Sequence, residues 1–475
     1  MLGVWLGTSI AGSELKITMP EFGVIVLGAG LAGYCAALAA AETGATVLLA
    51  EKCPEVGGST VLSNGMMAFA STPLQQKLGI KDSPSLLLDD LRAVGGPHTQ
   101  DDLLRTYASG QEELYKWLTS IGIEFTNVEL SSGQSAERSH ATDPGELIAK
   151  LHSVAESYIS LEIWTKTIAV RLNRSGSDGP VVGVIFDQNG KTIDVGARRG
   201  VVIATGGFSR SEELLLNFAP NQAKAMRGGG RGNVGDGLRM AWRLGAGMRD
   251  MGEIKGTYGA HISADNDGQE MLLMFYRGGI IVNRGGKRFI DESLSYKLLG
   301  DGCLAQEDAV SWEIFDQRIF DESPSSVRLF DPRPALNRGL LIKASSIHAL
   351  AKMCGIDPAG VAQTIATYNA DCLTGRDSVF GRDGLCNHIG KLVAIDKPMF
   401  FAYPATTAVL ATYCGLTVDT LANVLDVYEE PIEGLYAAGE VTGGFHGRAF
   451  MTGSSLGKSA LFGRIAGREA ASRVI

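Results

Sequence analysis

Gly28-Ala29-Gly30-Leu31-Ala32-Gly33 is the stretch of this chain whose residue types most clearly carry chemistry. An apolar run, Gly23-Val-Ile-Val-Leu27, precedes it and an alanine-rich segment, Leu31 to Thr43, follows it. Small residues between a strand and a helix let the backbone approach a pyrophosphate, and the helix start offers unpaired N–H donors at its positive end. Glu51 stands 18 residues after Gly33, at the end of the next apolar run, Thr46 to Ala50. A carboxylate there accepts ribose hydroxyls. The competing readings are a tight packing turn for the glycines and a solvated strand end for Glu51; the order strand, turn, helix, strand, carboxylate favours a bound dinucleotide.

These residues need a βαβ unit to hold them, and the hydrophobic pattern supplies one between Gly23 and Ala50. Two further strands are expected near Thr165 to Leu172 and Val181 to Asp187, with a hairpin turn at Asn189-Gly190. Gly200-Val-Val-Ile-Ala204 is a continuous apolar run that ends in Thr205-Gly206-Gly207, as a parallel strand meeting a glycine turn would. From Gly252 to Tyr403 the pattern breaks into short mixed segments with scattered aromatics. Gly434-Leu-Tyr-Ala-Ala-Gly439-Glu440 then returns to the strand-and-turn pattern, and Ser455 to Ser472 has helical spacing. The expected organisation is an α/β dinucleotide-binding domain, 23–251 and 404–475, interrupted by a capping or substrate domain, 252–403. Residues 1–22 read as an N-terminal extension.

With 475 residues the chain is too long for one ordinary core. A net charge of −9 argues against nucleic acid as a partner, since phosphate backbones are bound by basic stripes. The seven cysteines are scattered without C-x-x-C spacing, so no metal site is expected; they read as free thiols in a reducing, cytoplasmic setting. No run reaches 18 uninterrupted apolar residues, so no integral membrane segment is expected.

The segment Glu51-Lys52-Cys-Pro-Glu-Val-Gly57-Gly58-Ser59-Thr60, the turn Ala204-Thr205-Gly206-Gly207 and the closing stretch Leu435 to Gly467 together resemble the FAD-dependent fumarate reductase and succinate dehydrogenase flavoprotein superfamily. The closing stretch contains Gly439-Glu440-Val-Thr-Gly443-Gly444-Phe-His-Gly447 and Gly453-Ser454-Ser455-Leu456. The similarity runs from about residue 23 to 470 and is weakest in the middle. It implies a Rossmann-like FAD-binding domain of the glutathione reductase type with an inserted α+β capping domain. By that resemblance Glu440 holds the ribityl chain, Ser454 to Leu456 present backbone donors to the pyrimidine end of the flavin, and Ser63-Asn64-Gly65 lie along its other side; Ala169 joins the same set. Relatives with covalent FAD carry a histidine before the Thr60 position, where this chain has Ser59, so the cofactor is expected to be non-covalent. Gly235-Asp236-Gly237 also matches, but an aspartate N-cap explains it without a ligand.

The dicarboxylate reductases of this superfamily hold substrate with two histidines and an arginine and deliver a proton through a second arginine. The corresponding positions here are Thr257, Thr412, Phe450 and Tyr296, the last counted seven residues beyond Phe289 in Asn283-Arg-Gly-Gly-Lys-Arg-Phe289. A site that has lost two imidazoles and a guanidinium no longer complements a dicarboxylate and suits a neutral, largely apolar ketone. Tyrosine at this position is the pattern of the 3-ketosteroid dehydrogenases. The expectation is ketone desaturation or enone reduction: Tyr296 moves the proton while the Thr452 hydroxyl and the Gly453 N–H polarise the ketone. Tyr276, Arg277, Tyr258 and Tyr413 are all in segments that could supply a helper for Tyr296, and Tyr276 and Arg277 are also placed in the substrate site. Tyr296 has the alternative of being a packed aromatic, and Phe450 of being ordinary core. Two rival functions stay open: a fumarate- or urocanate-type acid reductase with Arg448 as a displaced anchor, and a flavoprotein subunit with no substrate of its own. An unidentified electron acceptor or donor is implied in each case.

Overall fold

The computed structural model describes residues 20–263 and 270–474, so all but the last three residues of the expected extension lie outside the described residues. The first strand opens at Glu21, two residues before the Gly23 start read from the sequence. Glu21 and Phe22 already pair with Gly196 and Ala197 of a neighbouring strand.

The central sheet runs in the order Asn423–Leu425, Pro431–Ala437, Lys191–Ile203, Glu21–Leu27, Val47–Ala50 and Leu161–Trp164. Its middle strands are parallel and end level with one another: Leu27 pairs with both Ala50 and Ile203, and Ala437 with Ile203. That shared edge matters because the next residue on each strand is one the sequence singled out: Gly28, Glu51 and Ala204, with Gly439 two residues after Ala437. Ligands of open α/β sheets sit in the crevice beyond these carboxyl ends. Strand Lys191–Ile203 is longer than expected. Its first half pairs antiparallel with Val181–Gln188, which in turn pairs with Ile168–Arg174. Asn189 and Gly190 both take positive φ, at 56° and 79°, as a type I′ hairpin requires.

Helix Leu31–Glu42 packs against the long helix Ser454–Ser472 with little between them. A Cβ on Gly463 would lie 2.5 Å from the Ala32 carbonyl oxygen, and one on Gly467 would lie 2.0 Å from that of Ala36. The alanines and glycines of both segments are therefore what allows the close approach, and it ties the last helix to the start of the chain.

A second sheet is built around Phe400–Val409, which is buried along its whole length. Antiparallel to it lie Thr257–His261, Ser311–Asp316 and Ile342–Ala344, with Ile280–Val282 on the far side of Ser311–Asp316. Its core gathers Tyr258, Phe275, Trp312, Phe315, Tyr368 and Phe401, and it also takes in Met66 and Phe450 from distant parts of the chain. The Phe400–Val409 strand passes through positions 403 and 404 without a break; Ala405 packs in the second core and Val409 in the first.

Candidate active site

A cavity of about 610 Å³ lies along the carboxyl ends of the central strands and reaches the second sheet. At one end its wall is backbone and small side chains: Gly28, Gly30, Leu31, Ala32, Ala204, Thr205, Gly206 and Gly439. Glu51 closes this end and is buried. Its carboxylate accepts from the Ala29 N–H at 2.9 Å and from the Cys53 N–H at 2.8 Å, which fixes the glycine turn against the second strand. Lys52, Gly58, Ser59, Thr60, Ser63, Asn64 and Ala169 also face the cavity.

Four expected cofactor residues do not face it. Ala29 presents only its N–H to Glu51, and Gly57 donates to the Ala29 carbonyl at 2.8 Å. Gly33 serves close packing, since a Cβ there would fall 1.7 Å from the Gly28 carbonyl oxygen. Gly65 accepts from the Thr142 N–H at 3.0 Å. A fifth, Ser454, turns its hydroxyl to the Met451 carbonyl at 2.6 Å, leaving Ser455 and Leu456 on the cavity wall at the start of the last helix.

Sequence reasoning missed a strip opposite Ser59. Gly229 to Asn233 line the cavity, and the Asn233 side-chain amide donates to both Ser59 Oγ and Glu440 Oε2, at 3.1 Å each. The glycine run Gly228-Gly-Gly-Arg-Gly232 was the available signal. Asp236 is not the helix cap expected of it. Gly235 occupies the cap, and the Asp236 carboxylate pairs with Lys52 Nζ at 2.5 Å on the cavity edge.

At the other end the wall changes to the side chains Met66, Thr257, Met271, Leu273, Tyr296, Arg328, Leu329, Tyr413, Phe450 and Thr452, with Gly453 beside them. Tyr296 is the first residue of helix Tyr296–Leu304, started by the Ser295 side chain. Its hydroxyl shares a hydrogen bond with Thr452 Oγ1 at 3.0 Å. Burial pushes the Tyr296 phenol well above the ordinary tyrosine range, against a smaller opposing effect of the Thr452 contact. Phe450 stacks on Tyr413 with ring centroids 4.7 Å apart, and both touch the ring of His446. His446 is held neutral by burial and by the nearby ammonium groups of Lys458 and Lys297.

Several expected substrate residues lie elsewhere. The Thr412 N–H donates to Glu440 Oε1 at 3.0 Å, so Thr412 props the Glu440 carboxylate from behind and is off the cavity wall. The Tyr276 hydroxyl donates to the Leu294 carbonyl at 2.7 Å, and the Arg277 guanidinium lies over the Phe330 ring, both away from the cavity. The Tyr258 hydroxyl is engaged with Ser311 at 2.8 Å inside the second core. Of the four proposed helpers only Tyr413 reaches the cavity. Arg448 points outward to the Ala93 carbonyl at 3.3 Å, which removes it as a displaced carboxylate anchor. Two charged residues near this end are ones the sequence did not single out: Arg328 on the cavity wall, and behind the wall the buried Lys297.

The donor set fits FAD. A glycine cradle lies at the strand ends, where a Cβ on Gly28 would meet the Ala204 carbonyl oxygen at 2.5 Å. A buried carboxylate closes one end, and a desolvated phenol closes the other, beyond the start of a long helix. Fold and site together define a flavin-dependent oxidoreductase. The chain belongs to the FAD binding domain family, which it matches over residues 23–456. It is 32% identical over 456 residues to the fumarate reductase (cytochrome) of Shewanella frigidimarina, covering 94% of this chain and 76% of that one. It is also 32% identical over 465 residues to the urocanate reductase of Eggerthella lenta, covering 94% and 74%. Among solved structures, 3-ketosteroid Δ1-dehydrogenase from Sterolibacterium denitrificans superposes with a TM-score of 0.80 at 23% identity over 96% of this chain and all of that one, a likeness of fold. The protein is an FAD-dependent oxidoreductase that acts on carbon–carbon double bonds of unsaturated substrates. Among the described residues no helix is long and apolar enough to cross a membrane.

Proposed function

We propose that this enzyme reduces, or in reverse forms, a carbon–carbon double bond conjugated to a carbonyl in a neutral, largely apolar substrate, with Tyr296 moving the proton. The observation that carries the reading is the buried Tyr296 hydroxyl on the cavity wall, 3.0 Å from Thr452, in a pocket end walled by Met271, Leu273, Leu329, Tyr413 and Phe450. Bound FAD supplies or takes up the hydride. Tyr296 is the proton donor when the bond is reduced, and Thr452 links its hydroxyl to the rest of the pocket. Burial pushes the phenol up, so it stays protonated at neutral pH, in the form that gives up a proton when the bond is reduced. We assign the Gly453 N–H, beside the cavity at the start of the last helix, as a donor to the substrate carbonyl.

Tyr296→Phe is the test. General acids contribute roughly 100-fold or more. The variant should keep its flavin absorbance and lose turnover of every accepted enone by at least about that factor. Turnover within about threefold of wild type would remove Tyr296 from the reaction.

A second reading, reduction of an unsaturated acid, is favoured by one observation: Arg328 is among the residues lining the substrate end of the cavity. Loss of acid turnover in Arg328→Ala with enone turnover unchanged would favour it. The remaining parts of the proposal are non-covalent FAD beside Ser59, a substrate-covering role for residues 252–403, an external electron partner, and a cytoplasmic setting supported by the seven unpaired thiols.

A further inference from the structure

We infer that Lys297 is a positioning residue that aims the Thr257 hydroxyl into the cavity, where that hydroxyl binds the substrate's carbonyl oxygen and the negative charge that grows on it. The inference rests on the functional reading above and adds to the Gly453 N–H a side-chain donor to the carbonyl.

Lys297 follows Tyr296 in the same helix but turns to the opposite side of the pocket wall, where it is almost entirely buried. Its Nζ has three neighbours, one for each of the three N–H bonds an ammonium carries: the Lys255 carbonyl oxygen at 3.0 Å, Thr257 Oγ1 at 2.7 Å, and the face of the Tyr413 ring, 4.7 Å from its centroid. An ammonium has nothing to accept with, so the short contact to Thr257 must run from lysine to threonine. The threonine's own O–H then has to point elsewhere. No protein acceptor takes it among the described residues, and Thr257 is on the cavity wall beside Tyr296, Tyr413 and Phe450. A hydroxyl that accepts from a buried cation is polarised toward stronger donation, which is what an oxyanion site needs. A neutral amine at position 297 would instead accept the Thr257 O–H with its lone pair and keep its two N–H bonds on the Lys255 carbonyl and the Tyr413 ring, drawing the hydroxyl away from the cavity, so only the charged lysine aims it inward.

The groups facing Lys297 come from several elements. Glu440 and Asp301 favour its charge, with Asp301 also paired to the Lys255 side chain at 3.3 Å; Tyr413 faces it as a neutral phenol, and His446 as a neutral imidazole. Burial outweighs the carboxylates and brings the ammonium down to about 7, so its charge is lost as pH rises through neutrality.

The test uses the FAD-loaded enzyme with 4-nitrophenol, whose coloured anion stands in for an enolate oxygen, and 2-cyclohexen-1-one as the turnover probe. Wild type is expected to hold the phenol as its anion at pH values where it is neutral in water. Lys297→Met and Thr257→Val should both abolish that ionisation, and Lys297→Arg should keep it. In turnover, Lys297→Met should lower kcat roughly 10- to 100-fold with KM changed less than about threefold, the signature of an interaction made in the transition state. The wild-type kcat should fall on the basic side of pH 7, and Lys297→Arg, always charged, should lack that fall. Unchanged phenol ionisation in Lys297→Met or Thr257→Val would overturn the inference, as would the same basic fall in Lys297→Arg. Should Lys297→Met fail to fold, Thr257→Val and Lys297→Arg decide it. The two readings fail separately: active Tyr296→Phe with Lys297-dependent phenolate capture removes the tyrosine and keeps this site, while the converse pattern does the opposite.

Discussion

The two ends of the cavity are made of different material. The dinucleotide end is lined by backbone, held at the level ends of parallel strands, with glycines where a side chain would collide with a carbonyl oxygen. The substrate end is lined by side chains brought in from the second sheet, the start of helix Tyr296–Leu304 and the separate loops that carry Tyr413 and Phe450. A backbone-lined surface recognises a constant shape, and changes in it damage folding and cofactor binding together. A side-chain surface can exchange imidazoles and guanidinium for hydroxyls and a phenyl ring while the fold stays as it is, and so can change substrate within one family.

Substitutions that separate the two ends test this contrast. The largest effect belongs to Gly33→Val. Its Cβ would fall 1.7 Å from the Gly28 carbonyl oxygen, a backbone atom that cannot swing aside, and relief requires the helix to leave the turn. We expect a loss of about 3 kcal/mol or more and little flavin-loaded protein, measured by thermal unfolding and flavin absorbance. Glu51→Gln comes next. It weakens two N–H contacts to a charged acceptor, and hydrogen bonds to charged groups are worth about 1.5–3 kcal/mol, so FAD affinity should fall roughly 10- to 100-fold by titration of the apoprotein, with kcat of the loaded enzyme nearly unchanged. Thr412→Val should do least. The backbone N–H to Glu440 survives the substitution and only two long hydroxyl contacts are lost, to Glu440 and from the Phe208 N–H, each at 3.4 Å, so KM for any substrate should stay within about threefold. A large rise in KM would put Thr412 back at the substrate and break the comparison at its most exposed point.

The dinucleotide end was largely legible because its signal is local. Gly28 to Gly33, Glu51 and the strand before Glu440 each carry their meaning in a few neighbouring residues, and the periods of strand and helix say which turn they occupy. The Gly228–Gly232 run was visible too, but a glycine run does not say what it faces; only folding put Asn233 between Ser59 and Glu440. The substrate end was legible as a list of positions and not as a geometry. Thr257, Tyr296 and Phe450 converge on the cavity, whereas Thr412, Tyr276 and Arg277 turn away from it, since a one-residue change along a strand or short helix reverses the face a side chain takes.

What the sequence determined alone was the parallel-strand unit and the glycine turns, because each is written in residue type and near spacing. The tertiary structure decided which hydroxyls share the pocket, that Tyr296 meets Thr452 from 156 residues away, and that a lysine hidden beside it stands behind Thr257. Burial and the direction of a hydrogen bond are properties of the assembled neighbourhood, and no single stretch of chain contains them.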